Sequence, residues 1–531
     1  MMSLQLLKTS KSDIAAAFAG LLSALPFIWP YSAWMAALAW ISLVPLVLAS
    51  IDRPWRRGLI AGVCFFAPVL YWLNHVMIDY GGLHPLASLG LYLLLVIYLA
   101  MFWGASCWCS MRIINRCALP LSLVFPLVWI GFEFLRSKLL TGFPWGSIVY
   151  SQAALPLLVQ SVDTGGIWVP MLVLLLMNCA IAGILRGLWC GPAARDLNWN
   201  KIPWMPVGAA LILFVLNATY GYYAQQHEHQ ISINDAATSG VDGETQALDV
   251  VLIQANIDQH QKWLRSHRAP TLNLYTDMSR KYPAADLIVW PESATPFYYA
   301  LEPRYANKVK ELARELQVHL LFGSPAREQM PQGYTYLNSA YLLDPKGETV
   351  ERTDKVHLVP FGEYVPLSSV LGFVDKMAVG VGDFRPGNLK LLPLSRGKAG
   401  VLICYEAIFP HLARTQVAMG AGILFNLTND AWFGDTPAPH QHLQMARFRA
   451  LENRRWLARS ANTGVSALID PYGTVHDPTH IFEAGVVTGR MSFRENLTLY
   501  TRYGDVLAWT ALAVLVGWMW QSRKKSLSAR G

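Results

Sequence analysis

The sequence predicts a protein of two structural parts, a polytopic membrane bundle of eight α-helical spans and an α/β domain outside the cytoplasm. Long apolar runs fill residues 1–223 and return near 503–520, and each is close to the roughly 20 residues that cross a bilayer. Between them, strand-like and helix-like runs alternate through a more polar segment. The chain is 53% hydrophobic and 15% charged, which is too apolar for one soluble globule.

The membrane part is predicted from apolar runs that polar loops separate. The spans are placed at residues 12–29, 33–50, 58–75, 86–110, 119–135, 166–185, 205–223 and 503–520. The resulting domains are a seven-span bundle over 1–223, a polar linker over 224–246, the α/β domain over 247–495, and an eighth span with a basic tail over 496–531. The first span is not interpreted as a cleaved signal, because further spans follow it at once.

Loop charges set the predicted orientation. Basic residues precede the first span and then occupy every second loop, at Lys8, Lys11, Arg53, Arg56, Arg57, Arg112, Arg116, Arg186, Arg195 and Lys201. By the positive-inside rule these loops and both termini are cytoplasmic, so residues 224–502 lie on the outer face. Arg136 and Lys138 are the local exception, and we expect Arg136 to pair with Glu133 on the same helix.

Charge, cysteine and histidine content exclude several kinds of site. The net charge of +8 is largely explained by the cytoplasmic loops and the tail, so no nucleic-acid binding is inferred. Six of the seven cysteines lie in spans or cytoplasmic loops, which leaves the outer domain without an internal disulfide framework. His440 and His442 have no third ligand nearby, so we interpret them as structural or solvent-facing and predict neither a metal nor a cofactor.

The α/β domain is predicted from alternating strand-like and helix-like runs. Strands are expected over 250–254, 287–290, 318–322, 336–343, 401–403 and 465–469, and helices over 269–282, 302–317 and 411–419. The strands 336–343 and 465–469 are each followed by Asp-Pro and are predicted to form hairpins. This alternation favours packed sheets covered by helices.

Cys404 is the candidate nucleophile. It ends the buried run from Val401 to Ile403, and a helix is expected over 411–419, so the thiol is expected on a sharp strand-to-helix turn. Backbone N–H groups at the start of that helix would lower the pKa of the thiol and stabilise an oxyanion. A lone cysteine is more often an inert packed residue, and on this segment alone that alternative stays open.

Two further segments supply the groups that such a nucleophile needs. Glu292 follows a buried run that Pro291 ends, and Lys355 lies in a loop-like stretch pinned by two prolines. With Cys404 they form a set suited to acyl transfer, in which the Glu takes the thiol proton, the Cys attacks a carbonyl and the Lys offsets charge on the tetrahedral oxygen. Taken singly, Glu292 and Lys355 are more often solvated charges or ion-pair partners.

Four strand-end motifs occur in one chain order: Trp290-Pro291-Glu292, Asp354-Lys355, Cys404-Tyr405-Glu406 and the segment 426–433. In this order they resemble the nitrilase superfamily, whose catalytic triad is Glu, Lys and Cys. The resemblance covers roughly residues 248–490. It implies an α-β-β-α sandwich with Glu292, Lys355 and Cys404 as its triad.

Joined to eight spans, the nitrilase-like domain resembles the apolipoprotein N-acyltransferases of bacteria. The resemblance includes segments 141–145 and 254–263, although Ala255 stands where a Gly is usual. It implies supporting or substrate-binding roles for five further residues: Glu363, Tyr405, Glu406, Trp263 and Trp145. For Trp145, which follows a proline in an outer loop, a place in the interfacial aromatic belt is the simpler alternative.

The resemblance also implies a two-step, ping-pong reaction at the bacterial inner membrane. Cys404 would take an acyl chain from a phospholipid, with phosphatidylethanolamine as the expected donor. The α-amine of a diacylglyceryl-cysteine at an apolipoprotein N-terminus would then take the chain. The expected partners are these substrates and membrane lipids, with no nucleic acid, and the protein is expected to be a monomer. The apolar stretch 365–380 is expected to be either a lipid-facing arm or an ordinary packed insertion.

Two other functions stay open on the sequence. A membrane-anchored amidase or nitrilase would use the same triad with water as the acceptor and would hydrolyse a small periplasmic substrate. A transporter with an outer binding domain is disfavoured, because no pair of Gly- or Pro-broken, charge-bearing spans is present to build a midplane site. Labelling of Cys404 by a phospholipid would distinguish the acyltransferase from both.

Overall fold

The computed structural model describes residues 2–189, 202–238, 247–331, 333–360, 362–364 and 384–528. The apolar stretch 365–380, which was expected to be an arm or an insertion, lies outside the described residues. The chain forms two compact units. The helical unit comprises Met1–Tyr71, Leu89–His227 and Tyr503–Gly531, and the α/β unit comprises Trp72–Ser88 and Glu228–Arg502.

The helices account for most of the first half of the chain. In chain order they are α1 (Met2–Ile28), α2 (Ala33–Ser42), α3 (Val44–Ala49), α4 (Pro54–Leu70), α5 (Trp72–His75), α6 (Pro85–Cys117), α7 (Leu121–Arg136), α8 (Pro156–Val159), α9 (Val162–Gly165), α10 (Trp168–Trp189), α11 (Trp204–Thr238), α12 (Gln259–Lys262), α13 (Arg268–Ser279), α14 (Pro303–Leu316), α15 (Pro410–Ala418), α16 (Ala438–Asn453), α17 (Leu499–Tyr503) and α18 (Val506–Ser528). Short 3₁₀ helices occur at Leu139–Thr141, Ile148–Ala154, Arg265–His267, Cys404–Ile408 and Asp430–Phe433, and a π-helical turn at Val76–Tyr80.

The apolar runs predicted as spans coincide with helices, namely α1, α2 with α3, α4, α6, α7, α10, α11 and α18. Among the described residues, four helical stretches are long and apolar enough to cross a membrane: Ser10–Ile28, Pro85–Cys117, Trp168–Leu188 and Trp204–Gln226. Pro54–Leu70 makes a fifth when the helical residues that follow it are counted with it. Helix α11 continues to Thr238, so the polar linker predicted over 224–246 begins as a helix.

A buried ion pair stabilises one loop of the helical unit. Glu133 and Arg136 form the pair that their spacing predicted, and both side chains are buried. Arg136 Nη1 also donates to the backbone oxygens of Phe143, at 2.5 Å, and Trp145, at 2.8 Å. The Arg136 guanidinium therefore ties the loop after α7 to the helix, which gives this buried charge a structural role.

The α/β unit contains two six-stranded sheets. The strands are β1 (Ala247–Gln254), β2 (Leu287–Val289), β3 (His319–Met330), β4 (Gly333–Leu343), β5 (Thr349–Asp354), β6 (Leu392–Leu394), β7 (Gly397–Ile403), β8 (Ala421–Thr428), β9 (Leu457–Ala461), β10 (Ala467–Ile469), β11 (Val475–His476) and β12 (Gly485–Ser492). Their orders are β12-β1-β2-β3-β4-β5 and β11-β10-β9-β8-β7-β6. In each sheet a parallel trio, β1-β2-β3 or β7-β8-β9, is flanked by antiparallel strands.

Side-chain alternation along the strands builds two cores. Leu287 and Val289 of β2 face the second sheet, whereas Ile288 between them packs beneath α13 and α14. Helices α15 and α16 cover the other face of the second sheet. Successive residues of the parallel strands are therefore buried on both faces, as their continuous apolar runs require. The unit is the four-layer α-β-β-α sandwich that the resemblance implied.

The predicted strands and helices of this unit are present, with one marked difference in length. Strand β3 was expected to end at Phe322, but it continues to Met330 in an antiparallel pairing with β4. The Gly-Ser-Pro run that begins at Gly323 looks like a break in sequence. Gly323 is needed there because a Cβ atom at this position would lie 2.6 Å from Glu292 Cα.

Candidate active site

The ends of strands from both sheets bring the predicted catalytic residues together. Glu292 follows β2 by three residues, Lys355 comes directly after β5, and Cys404 comes directly after β7. Side chains at the carboxyl ends of parallel strands line the place where α/β proteins most often bind ligands. All three side chains are buried. Glu292 and Lys355 are therefore not the solvated charges that their sequence context alone would allow.

Glu292 is held by donors from both sheets. Its Oε1 accepts a 2.7 Å hydrogen bond from Asn338 Nδ2 of β4. Its Oε2 accepts a 2.9 Å hydrogen bond from the backbone N–H of Asn429, directly after β8. The orientation of the carboxylate is therefore set before any substrate arrives, which is what a general base requires.

Lys355 lies between two carboxylates. Its Nζ is 2.8 Å from Glu363 Oε1 and 3.8 Å from Glu292 Oε1. Burial alone would lower the pKa of Lys355, but Glu363 and Glu292, with the Cys404 sulfur, raise it above its ordinary value. The two carboxylates therefore favour the charged form of Lys355, and Glu363, which also accepts a 2.8 Å hydrogen bond from Val359 N, holds it in place.

Cys404 occupies a strained turn, with a φ of 53°. The turn and the helix that follows it were predicted, but the expected lowering of the thiol pKa was wrong. Cys404 begins the 3₁₀ turn Cys404–Ile408, and α15 begins only at Pro410. Burial, with the charges of Glu292 and Asp430, raises the pKa of the thiol despite the opposing effects of Lys355 and a hydrogen bond with Thr428. The resting group is a thiol, so attack requires a base.

Glu406 connects the Lys355 loop to the nucleophile turn. Its Oε1 accepts hydrogen bonds from the backbone N–H groups of Val356, at 2.7 Å, and His357, at 3.1 Å, and its Oε2 accepts one from Ile403, at 2.8 Å. Burial raises the pKa of this carboxyl to about 7, although the three backbone donors oppose the shift. Both oxygens of Glu406 are therefore occupied by backbone donors, and its supporting or substrate-binding role stays a prediction.

Tyr405, the residue between Cys404 and Glu406, is also buried. Its ring packs edge to face on Phe409, with 5.1 Å between the ring centroids.

The two predicted tryptophans are not joined to the triad by the described contacts. Trp263 is half-buried at the end of α12. Trp145 belongs to the helical unit, where its side chain is 1% exposed and its ring stacks on Phe143 at 6.4 Å. Their roles in substrate binding stay predictions.

A buried polar network supports the backbone of the nucleophile turn. His442 Nε2 lies 3.2 Å from the backbone oxygen of Cys404, and His442 Nδ1 lies 3.0 Å from Asp430 Oδ1. Arg459 Nη2 donates to Asp430 Oδ2 at 2.6 Å. Of the two roles expected for His442, the structure gives the structural one, because its side chain is fully buried.

Sequence reasoning missed three polar residues of the site: Lys262, Asn338 and Asn429. Lys262 Nζ donates to the backbone oxygen of Glu292 at 3.1 Å, and its side chain is fully buried. Asn429 Nδ2 donates to Gln259 Oε1 at 2.6 Å, which ties α12 to the end of β8. Signals existed for all three, because Asn338 and Asn429 are polar residues within or directly after apolar strands, and Lys262 lies in the segment 254–263 that resembles the family.

Comparison with known proteins identifies the family. The carbon-nitrogen hydrolase family matches residues 249–495, and the N-terminal domain of apolipoprotein N-acyltransferases matches residues 17–180. The apolipoprotein N-acyltransferase of Geobacter metallireducens is 40% identical over 508 residues, which cover 94% of this chain and 93% of that protein. The chain belongs to the apolipoprotein N-acyltransferase family. Relatives with the same name from Methylococcus capsulatus and Azotobacter vinelandii are each 33% identical, over 93% and 94% of this chain and 94% and 93% of their own lengths.

Membership of the apolipoprotein N-acyltransferase family confirms the resemblance on which the functional prediction rests. The protein is an acyltransferase with a carbon-nitrogen hydrolase domain and several apolar helices suited to a membrane. The alternative of a membrane-anchored hydrolase is not favoured, because the match extends through the N-terminal helical domain.

Proposed function

We propose that this protein transfers an acyl chain from a phospholipid to the α-amine of the N-terminal diacylglyceryl-cysteine of lipoproteins, through a thioester on Cys404. One observation carries the chemistry: Glu292, Lys355 and Cys404 lie buried at strand ends of two packed sheets, close enough for both charged groups to shift the pKa of the thiol. The names of the relatives supply the substrate classes.

The first half-reaction forms the thioester. Glu292 accepts the thiol proton as the sulfur attacks the ester carbonyl carbon of the phospholipid. Lys355, held by Glu363, stabilises the oxyanion of the tetrahedral intermediate. The C–O bond to the glycerol oxygen then breaks. Glu292 donates the proton it took from the thiol to that oxygen, and a lysophospholipid leaves.

The second half-reaction uses the same groups, with the acceptor amine as the nucleophile and the Cys404 sulfur as the leaving group. The free α-amine of the acceptor attacks the thioester carbonyl and passes a proton to Glu292. The C–S bond breaks, and the sulfur recovers a proton from Glu292 as the amide product forms. Because one sulfur carries the acyl group between donor and acceptor, the reaction is ping-pong. Burial of the site limits access of water to the thioester.

The membrane arrangement follows from the substrates and the loop charges. Both substrates have acyl tails in a bilayer, which supports a site at the surface of the bacterial inner membrane. Eight spans with both termini in the cytoplasm would put the α/β unit in the periplasm. Phosphatidylethanolamine is the proposed donor, and the protein is proposed to act as a monomer.

A two-substrate assay tests the function. The purified protein would be incubated with phosphatidylethanolamine carrying labelled acyl chains and a synthetic diacylglyceryl-cysteine peptide. Mass spectrometry should find one labelled chain in amide linkage on the peptide α-amine, and an α-N-acetylated peptide should stay unmodified. Release of labelled free fatty acid with no change in the peptide would identify a hydrolase instead.

A further inference from the structure

Lys262 is a second buried lysine in the active-site region. It ends α12, its side chain is fully buried, and its Nζ donates to the backbone oxygen of Glu292 at 3.1 Å. Within the part of the chain that the structure describes, no carboxylate lies within ion-pair distance of its Nζ. An ammonium group that is buried without a paired anion is costly, and such groups are concentrated at functional sites.

The ionisable groups that act on Lys262 are the catalytic residues Glu292 and Cys404. Burial lowers the pKa of Lys262 to about 8, against the attraction of Glu292 and of the Cys404 sulfur. The effect is reciprocal, since an ammonium that the sulfur favours must also favour negative charge on that sulfur. Lys262 can therefore respond to the ionisation state of the triad near neutral pH.

The triad needs such a cation. Glu292 and Glu363 together carry two negative charges, and Lys355 supplies one positive charge between them. Asp430 adds a further negative charge that raises the pKa of the Cys404 thiol. When the thiolate or the oxyanion forms in this buried setting, Glu292 carries the thiol proton and Lys355 is still paired with Glu363 at 2.8 Å. Lys262 is the other buried ammonium that acts on both Glu292 and Cys404.

We propose that Lys262 is a positioning residue of the acyl-transfer site, which holds the backbone of Glu292 and whose ammonium stabilises negative charge on the Cys404 sulfur while Glu292 carries the thiol proton. The proposal rests on Cys404 being the nucleophile of the proposed function. A purely structural role, in which Lys262 only anchors α12, would leave the ionisation of Cys404 unchanged.

Alkylation of Cys404 by iodoacetamide, followed by peptide mass spectrometry from about pH 6 to about pH 10, reads this ionisation without any lipid substrate. Lys262→Met removes the charge and the donor, and Lys262→Gln removes the charge but keeps a donor. Lys281→Met, on an exposed lysine of the same unit, is the matched control. Acyl-enzyme formation would be measured on the same preparations.

Both Lys262 variants should slow alkylation of Cys404 at neutral pH about tenfold, the change that one pKa unit of lost stabilisation of the thiolate would cause, whereas Lys281→Met should match the wild type. The difference should shrink above about pH 8, where the Lys262 ammonium itself loses its proton. Acyl-enzyme formation should slow at saturating donor, so that kcat falls more than KM rises.

Three results would overturn the proposal. One is an alkylation profile of folded Lys262→Met that superposes on the wild type. Another is a wild-type profile in Lys262→Gln alone, which would assign the effect to the hydrogen bond. Loss of folding in both variants would make Lys262 structural and would also contradict the proposal. Failure of the wild-type enzyme to form a thioester on Cys404 would be a separate result, against the proposed function.

Discussion

Asn338 Nδ2 donates a 2.7 Å hydrogen bond to Glu292 Oε1. The same nitrogen lies 3.1 Å from Glu363 Oε1, so one amide separates the proposed base from the acid that holds Lys355. Without this donor, two carboxylates would face each other across a single ammonium. The position of the base thus depends on a residue that does no chemistry itself.

Replacing Asn338 by leucine should therefore slow acyl-enzyme formation. The substitution keeps the size of the side chain but leaves Glu292 Oε1 without its donor, at a cost of about 1 to 3 kcal/mol, or about fivefold to 150-fold in rate. Asn307→Leu, on an exposed position of α14, is the control. The rate would be measured by mass spectrometry with donor alone. An unchanged rate in folded Asn338→Leu would mean that the amide does not orient the base.

Cys404→Ser should abolish transfer and leave the protein folded in the membrane. Serine keeps the shape of the strained turn, but its hydroxyl is far less acidic and less nucleophilic than the thiol. Cys117→Ser, at the end of α6, serves as the control and should keep full activity. Turnover would be followed in the two-substrate assay, with thermal unfolding in detergent as the test of folding. Near-wild-type turnover of Cys404→Ser would remove Cys404 from the mechanism.

Glu292→Gln and Lys355→Ala should both block thioester formation, by up to a few kcal/mol each, or about 10²- to 10⁴-fold in rate. Their effects on alkylation of Cys404 should have opposite signs. Glu292 raises the pKa of the thiol and Lys355 lowers it, so alkylation should begin at lower pH in Glu292→Gln and at higher pH in Lys355→Ala. Shifts in the same direction would show that one of the two roles is misassigned.

The triad could be predicted because each of its residues lies just after a sequence pattern that can be recognised locally. Glu292, Lys355 and Cys404 all follow apolar runs, and their chain order matches a known family. Lys262 lies in the family-like segment 254–263 but follows no apolar run; it ends the polar run that begins at Gln259 and looks solvent-exposed. Only packing against Glu292 from another part of the chain makes it a residue of the site.

The predicted lowering of the Cys404 pKa was wrong because it, too, depends on packing between distant parts of the chain. The sequence located the turn, but the sign of the shift depends on burial between two sheets, which local sequence does not report. The length of β3 was missed because Gly323 and Pro325 look like strand breakers, whereas antiparallel pairing with β4 carries the strand past them. Long apolar helices and buried parallel strands were predictable because their patterns are local.

The orientation in the membrane is open to a direct experiment. A reporter that is active only in the periplasm should work when fused at Glu244 and should fail when fused after Arg523. The reason is that basic residues concentrate in the loops and the tail that are assigned to the cytoplasm. A reporter of the opposite type, active only in the cytoplasm, provides the control and should give the reverse pattern. Activity of the periplasmic reporter after Arg523 would refute the loop-charge argument.

The most direct test of the central claim is trapping of the acyl-enzyme. With phospholipid alone, intact-mass and peptide mass spectrometry should find one acyl chain on Cys404, together with one equivalent of lysophospholipid, and the thioester should persist because water is kept from the buried site. Addition of a diacylglyceryl peptide with a free α-amine should discharge the thioester, and the α-N-acetylated peptide should leave it intact. Amide product that forms with no acyl-enzyme under donor-only conditions, and with intersecting rather than parallel double-reciprocal plots, would contradict the account and indicate direct transfer in a ternary complex.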